Sequence, residues 1–184
     1  YVTISRAMNS VTYPARFMLA ISINPCPCGY FTDKMKECHC TPHQIQSYMS
    51  KISGPLLDRI DIQIEVPSVQ YHELVSDREV QSSADIRGKV LVSRTMQKER
   101  FKDQPPMVNA HMSSKQTKKY CVLDKSAEAM LYQAMTELGL SARGHSKVLK
   151  VARTIADLEE SEHIKIEHIS EAIQYRSLDR GLWK

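Results

Sequence analysis

What this 184-residue chain lacks narrows its roles first. It has no run of eighteen apolar residues, so no membrane-spanning helix is expected. It shows no secretory signal. Neither sign of charge dominates: 25 lysines and arginines stand against 21 acids, and a net charge of +4 is too small to mark a nucleic-acid binder by itself. Gly-x-x-x-x-Gly-Lys-[Ser/Thr] occurs nowhere, so the sequence has no phosphate-cradling loop of that kind. Internal repeats and low-complexity segments are absent as well. The first residue is not Met: Tyr1 opens a β-like stretch, Tyr1-Val2-Thr3-Ile4-Ser5, and the expectation is a piece cut from something longer. The five cysteines are odd in number, clustered and accompanied by histidines. That argues against a secreted disulfide framework and for a reducing, cytoplasmic setting.

What is present suffices for a real core. At 42% hydrophobic residues the chain can build one ordinary domain, or one and a half small ones. Two halves are visible. In residues 1–67, Phe17–Ile23 reads as a continuous apolar strand of the kind covered on both faces in a parallel sheet. Thr41-Pro42-His43-Gln44 is a helix start, with Thr41 as cap, Pro42 in the first turn and Gln44 closing a capping box, and that helix is expected to reach Ser50. Ile60–Val66 alternates strictly and reads as a strand with one wet or interfacial face, ended by Pro67. Residues 68–184 read as helical. A charged helix is expected over Ala84–Phe101, then a loop with at most short helical pieces over Asp103–Thr117. Another helix is expected over Ser126–Leu138, stopped by Gly139. Ser141 caps the next, whose buried stripe is Val148, Val151, Ala152, Ile155 and Ala156, and a last helix begins near Glu167. The boundary between the halves is placed at Val66–Glu73.

Cys26-Pro27-Cys28-Gly29 and Cys38-His39-Cys40 bring four thiols within fifteen residues. Four thiolates bind zinc tetrahedrally with nothing left open, so a site made of Cys26, Cys28, Cys38 and Cys40 is structural. Cys-x-x-Cys is the commoner spacing, and Pro27 and Gly29 ease the tighter one by forcing a turn. His39 and His43 are substitute ligands, and reduced cysteines without metal are the competing reading. Cys121 stands alone and reads as a core residue.

Three further residues invite a chemical reading. Asn24 ends the apolar run, where open α/β sheets place chemistry, and can position a water or contact a phosphate; a plain turn cap is the alternative. Arg59 stands just before the alternating segment, in Ser53-Gly54-Pro55-Leu56-Leu57-Asp58-Arg59-Ile60-Asp61. It can serve as an arginine finger to another subunit's phosphate, or simply pair with Asp58 or Asp61. Arg143 falls in the first turn of a helix, where a cation opposes the helix dipole, so an anion is expected to hold it there; a solvated Arg is the alternative.

Ala15-Arg16-Phe17, Asn24-Pro-Cys-Pro-Cys-Gly, the second Cys-x-Cys, Ser-Gly-Pro-Leu-Leu-Asp-Arg-Ile-Asp, and Gly139-Leu-Ser-Ala-Arg143 followed by Leu149-Lys-Val-Ala-Arg153-Thr-Ile-Ala-Asp-Leu together resemble the magnesium-chelatase-like AAA+ ATPases of the ComM/YifB type. The resemblance runs from Thr3 to Arg176. It implies an α/β plus α fold: the last strands of the parallel sheet of a P-loop ATPase core, then an all-α lid. It implies that Asn24 is the sensor-1 residue orienting the attacking water, that Arg59 is the arginine finger, and that Arg143 is the sensor-2 residue, with Arg153 as the second candidate. It further implies ATP and magnesium as ligands of the intact protein, a homo-hexameric ring, and DNA as partner through competence-linked branch migration.

The departure from the family is the missing Walker A loop and Walker B strand, so this segment alone is expected not to hydrolyse ATP. Basic stretches at Arg87–Lys102 and at Lys115, Lys118 and Lys119 are candidate DNA contacts, or solvated faces. Two other readings stand beside the motor: a non-catalytic zinc-stabilised module that binds DNA or protein, and a metal-insertion motor of the magnesium-chelatase type.

Overall fold

The structure is a computed structural model. It describes residues 1–6, 8–15, 17–33, 35–69, 81–105 and 107–176. Contacts divide the chain into two units, Tyr1–Tyr48 and Met49–Lys184. Residues 49–69 therefore group with the helices that follow them. The boundary expected at Val66–Glu73 runs into residues 70–80, which lie outside the described set.

The first unit opens with an antiparallel hairpin, β1 (Val2–Arg6) and β2 (Asn9–Tyr13), in the register Val2 to Tyr13 through Arg6 to Asn9. Cross-strand hydroxyl pairs stitch it, Thr3 to Thr12 at 2.9 Å and Ser5 to Ser10 at 3.0 Å. Helix α1 (Pro42–Met49) starts as its sequence dictates. The Thr41 N–H donates to Gln44 Oε1 at 2.8 Å and the Gln44 N–H to Thr41 Oγ1 at 3.3 Å, closing the capping box.

Two strand expectations fail among the described residues. Phe17–Ile23 forms no strand, and its side chains are exposed, Met18 at 95% and Phe17 at 75%. A doubly covered strand needs a neighbour on each edge and a layer on each face. The hairpin, the one sheet here, supplies neither. Ile60–Val66 also makes no ladder. Its alternation is real, but its phase is inverted: Gln63 is buried while Ile62, Ile64 and Val66 are exposed. Gln63 is drawn in because its N–H donates to the Tyr175 carbonyl at 2.8 Å and its Nε2 to the Leu57 carbonyl at 3.2 Å. The structure is thus α-rich with a two-stranded sheet, and the parallel sheet expected of an α/β core is not present among the described residues.

The helical expectations hold. The second unit contains α2 (Gly54–Leu57), α3 (Ser83–Arg100), a 3-10 turn at Asn109–His111, α4 (Ser114–Tyr120), α5 (Lys125–Leu138), α6 (Ala142–Leu158) and α7 (Ile166–Gln174). Serines 82, 113 and 141 and Asp124 cap α3, α4, α6 and α5. Gly139 ends α5 in the left-handed conformation, φ 61°, where a side chain would be strained. Helix α6 is the centre of the core: its Val148, Ala152, Ile155 and Ala156 share one buried cluster with Leu131 of α5 and with Ile169 and Ala172 of α7, the helix that packs against it. Each large apolar side chain buried there contributes roughly 1.5–3 kcal/mol. Phe101 closes one end of the core, edge-on to Tyr120 with ring centroids 5.5 Å apart, and Cys121 is buried in it as expected.

Candidate functional site

The chemistry-bearing residues fall into two groups, one in each unit. In the first, residues 25–33 make successive turns. The Gly29 N–H donates to the Cys26 carbonyl at 3.0 Å, and Gly29 takes φ 84°, which its missing side chain permits. The turns bring the sulfurs of Cys26, Cys28, Cys38 and Cys40 within 4.8 Å of one another. Cys26 lies 3.3 Å from Cys28 and 3.7 Å from Cys38, and Cys28 lies 3.6 Å from Cys38. Four sulfurs at 2.3 Å from a tetrahedral zinc are about 3.8 Å apart, so the donor set fits that ion closely. His39 and His43 are exposed and stand outside the cluster, which removes them as substitute ligands.

Backbone N–H groups point at these sulfurs. The Tyr30 N–H, more than any other partner, holds the Cys28 thiol at about 6. Burial pushes Cys26 up, but the Phe31 N–H, 3.4 Å from its sulfur, and other donors outweigh it and leave that thiol below its ordinary value. The Cys40 N–H favours the Cys38 thiolate, yet desolvation and the sulfurs of Cys28 and Cys26 prevail and push Cys38 up to about 12. Cys40 is raised too: the Cys28 N–H lowers it, and desolvation with the same two neighbours overcomes that. The four groups thus resist common ionisation by mutual repulsion, which a dication would relieve. Asn24 is exposed beside this turn, its side-chain amide 3.9 Å from where a Gly29 Cβ would stand.

The second group gathers around residues 58–61. Ser53 caps the short helix α2, accepting the Leu56 N–H at 3.3 Å, and Asp58 ends it. Arg59 is exposed, and its Nη1 donates to the Pro55 carbonyl at 2.7 Å. The ordinary ion pairs that sequence offered it are taken by other cations. Asp58 faces Arg143 Nη1 at 3.4 Å and Arg176 Nη2 at 3.8 Å, and Asp61 accepts from Lys147 Nζ at 2.6 Å. Arg143 does stand in the first turn of α6, 56% exposed, and the anion beside it is Asp58. Arg153 is different. Its side chain is 3% exposed, and its guanidinium is spent on Asp157 at 3.0 Å and on the carbonyls of Glu162 and Ser161 at 2.8 and 2.6 Å. Burial pulls it below the usual arginine value, offset in part by Asp157.

Sequence reasoning missed Asp58, Asp61, Ser141, Lys147 and Arg176 as a connected set. Their contacts cross more than eighty residues, and no local spacing reports such a distance. It also missed the network at Asp157, where Arg100 binds the carboxylate through both guanidinium arms at 2.7 and 2.5 Å and Asn109 adds a bond at 2.8 Å. One signal was available: Arg153 and Asp157 stand four residues apart on the buried face of a helix. Arg100, read as part of a basic face, is occupied by this network.

Comparison with known proteins gives two family matches. "Magnesium chelatase, subunit ChlI C-terminal" matches residues 80–176, and "Magnesium chelatase, subunit ChlI" matches residues 1–74. The chain is 40% identical to competence protein ComM of Haemophilus influenzae over 185 residues, covering 100% of this chain and 35% of that one. It is 37% identical to the uncharacterized protein YifB of Escherichia coli over 183 residues, 98% of this chain and 35% of that one. An uncharacterized protein of Mycobacterium tuberculosis is 28% identical over 175 residues, 95% of this chain and 34% of that one. The chain thus spans about a third of the length of the curated relatives it matches.

Proposed function

The chain belongs to the magnesium-chelatase-like family of the ComM/YifB type, and from that premise we propose that it is the sensor- and finger-bearing part of an ATP-hydrolysing AAA+ motor. The observation that carries the reading is the pair of exposed guanidiniums brought to residues 53–61 from positions far apart in the chain: Arg59, resting on the Pro55 carbonyl, and Arg143, paired with the carboxylate of Asp58, the residue before Arg59. Arg59 is offered to the phosphates of a neighbouring subunit, where a cation stabilises charge spread over the transferring phosphoryl group. Arg143, in the helical lid, reaches the phosphates of its own subunit. It is a better sensor 2 than Arg153, whose buried guanidinium is fully engaged. Asn24 orients the attacking water. ATP and magnesium are held chiefly by the Walker loops of the intact protein, the remaining two-thirds of which also supply strands to cover Phe17–Ile23 and the apolar phase of Ile60–Val66.

Zinc on Cys26, Cys28, Cys38 and Cys40 is the structural cofactor of this reading. It braces the turn beside Asn24 and takes no part in the reaction, since four protein ligands fill its shell. The assembly is a homo-hexameric ring acting on DNA in the cytoplasm. Arg87, Lys89, Lys98 and Lys102, exposed on and just beyond α3, are the basic residues that meet the DNA backbone.

The test uses the intact protein. Arg59→Ala should keep nucleotide binding and ring assembly and abolish hydrolysis. Wild-type turnover in that variant would reduce Arg59 to a structural residue and defeat the reading. A second reading, a non-catalytic zinc-stabilised binding module, is favoured by the metal-ready sulfurs. DNA binding by this segment without ATP, lost on chelation, would support it over the motor.

A further inference from the structure

Residues 58–61 are fastened to the helices from two directions. From α6, Ser141 Oγ donates to Asp58 Oδ1 at 2.8 Å, Arg143 Nη1 lies 3.4 Å from Asp58 Oδ2, and Lys147 Nζ bonds both the Arg59 carbonyl and Asp61. From beyond α7, the buried Arg176 donates to the Ile60 carbonyl at 2.8 Å and lies 3.8 Å from Asp58 Oδ1. The Asp58 side chain before Arg59 and the Arg59 and Ile60 carbonyls after it are therefore tied to α6 and the end of α7. Any displacement of those helices carries Arg59 with it.

The contacts of Asp58 are unequal. Arg176 is almost completely buried, whereas Arg143 is more than half exposed. An exposed pair of that kind is weak and easily exchanged. A phosphate competes with the Asp58 carboxylate for the same guanidinium, while the Ser141 and Arg176 contacts can persist.

We propose that Asp58 is a positioning residue that couples the two arginines: it holds Arg143 when no phosphate is present and ties the Arg59 turn to the helix that carries Arg143. The inference rests on the roles given to Arg59 and Arg143 above. Nucleotide bound in one subunit draws Arg143 from Asp58, shifts α6 and its attached turn, and so alters the finger offered to the next subunit. Such a link makes hydrolysis cooperative around the ring, because nucleotide bound at one site changes the finger offered to the next.

The experiment measures ATP hydrolysis against ATP concentration, and binding of a fluorescent ATP analogue, in the intact protein. Asp58→Asn keeps the shape and an acceptor for Ser141 but loses the charge. It should bind the analogue as tightly as wild type or several-fold tighter, hydrolyse ATP at least tenfold more slowly, and lower the Hill coefficient toward 1, with ring size unchanged. Lys147→Met removes a different tether and should lower the Hill coefficient without changing analogue affinity. Unchanged turnover and Hill coefficient in a folded variant overturn the coupling. So does weaker binding in Asp58→Asn, or a wild-type Hill coefficient of 1. Should Asp58→Asn fail to fold, Lys147→Met decides alone. Full hydrolysis by Arg59→Ala would instead overturn the functional reading beneath it, so the two failures are distinct.

Discussion

Asp157 shows what a single residue must do in this core. Its carboxylate is wholly buried between Arg100 and Arg153, with Asn109 completing its bonds. A buried ion cluster adds little over a well-packed apolar one, but removing one partner strands the others without a counter-charge. Asp157→Ala is therefore expected to lower stability by about 3–5 kcal/mol in denaturant unfolding. A loss of only a few tenths would show that the guanidiniums find water instead. The same residues explain a limit of the sequence. Arg153 looked like a candidate for nucleotide because residue type and position alone do not say which way a guanidinium turns. Its neighbours decide that, and they come from α3, the 3-10 turn and the segment after α6. Arg143, with the same side chain, lies in the first turn after the Ser141 cap and is more than half exposed, and that place at a helix start was legible from spacing.

Whole elements were legible where their signal is local. The caps at Thr41 and Ser141 and the stop at Gly139 appear as read, and so does the 3.6-residue stripe of α6 except that Val151 is half-buried and Leu149 and Arg153 are buried as well; all lie within a few turns of chain. The two strands were not, since a strand is defined by its partners and the described residues hold none for them. Two element-level outcomes follow. The Ala127 N–H donates to Asp124 at 2.8 Å and, above all else, holds its carboxyl below the ordinary value. Its contribution to α5 is then fully present above the unfolded value, about 3.9, and is lost as pH falls through the lowered folded value. Asp124→Asn should flatten that acid limb in a plot of melting temperature against pH and leave neutral stability close to wild type. For the cysteine turn, protein purified without chelator should hold one zinc per chain, and Cys38→Ser should lose it and expose residues 26–40 to protease. Metal analysis finding no zinc in the wild type would end the clasp.

At the scale of the whole molecule, the exposed apolar side chains matter most. Phe17, Met18, Leu19, Ile21 and Ile23 lie open in one stretch, and Ile62, Ile64 and Val66 in another. Contiguous surface of this kind marks an interface. The chain covers about a third of its relatives. On the proposed roles, the 184 residues alone should show no ATP turnover, whatever the state of Arg59, because an arginine finger and sensors stabilise a phosphoryl group that a phosphate-cradling loop must hold, and the sequence has none. DNA gives a second, independent readout. If Arg87, Lys89, Lys98 and Lys102 meet phosphates, affinity in the intact ring should fall linearly on a log–log plot as salt rises, with a slope of about −0.9 per neutralised phosphate in duplex DNA. Replacing Arg87 and Lys89 together by Gln should make that slope shallower by about two for each subunit engaged, with hydrolysis in the absence of DNA unchanged. An unchanged slope would move the DNA contact to another face of the ring.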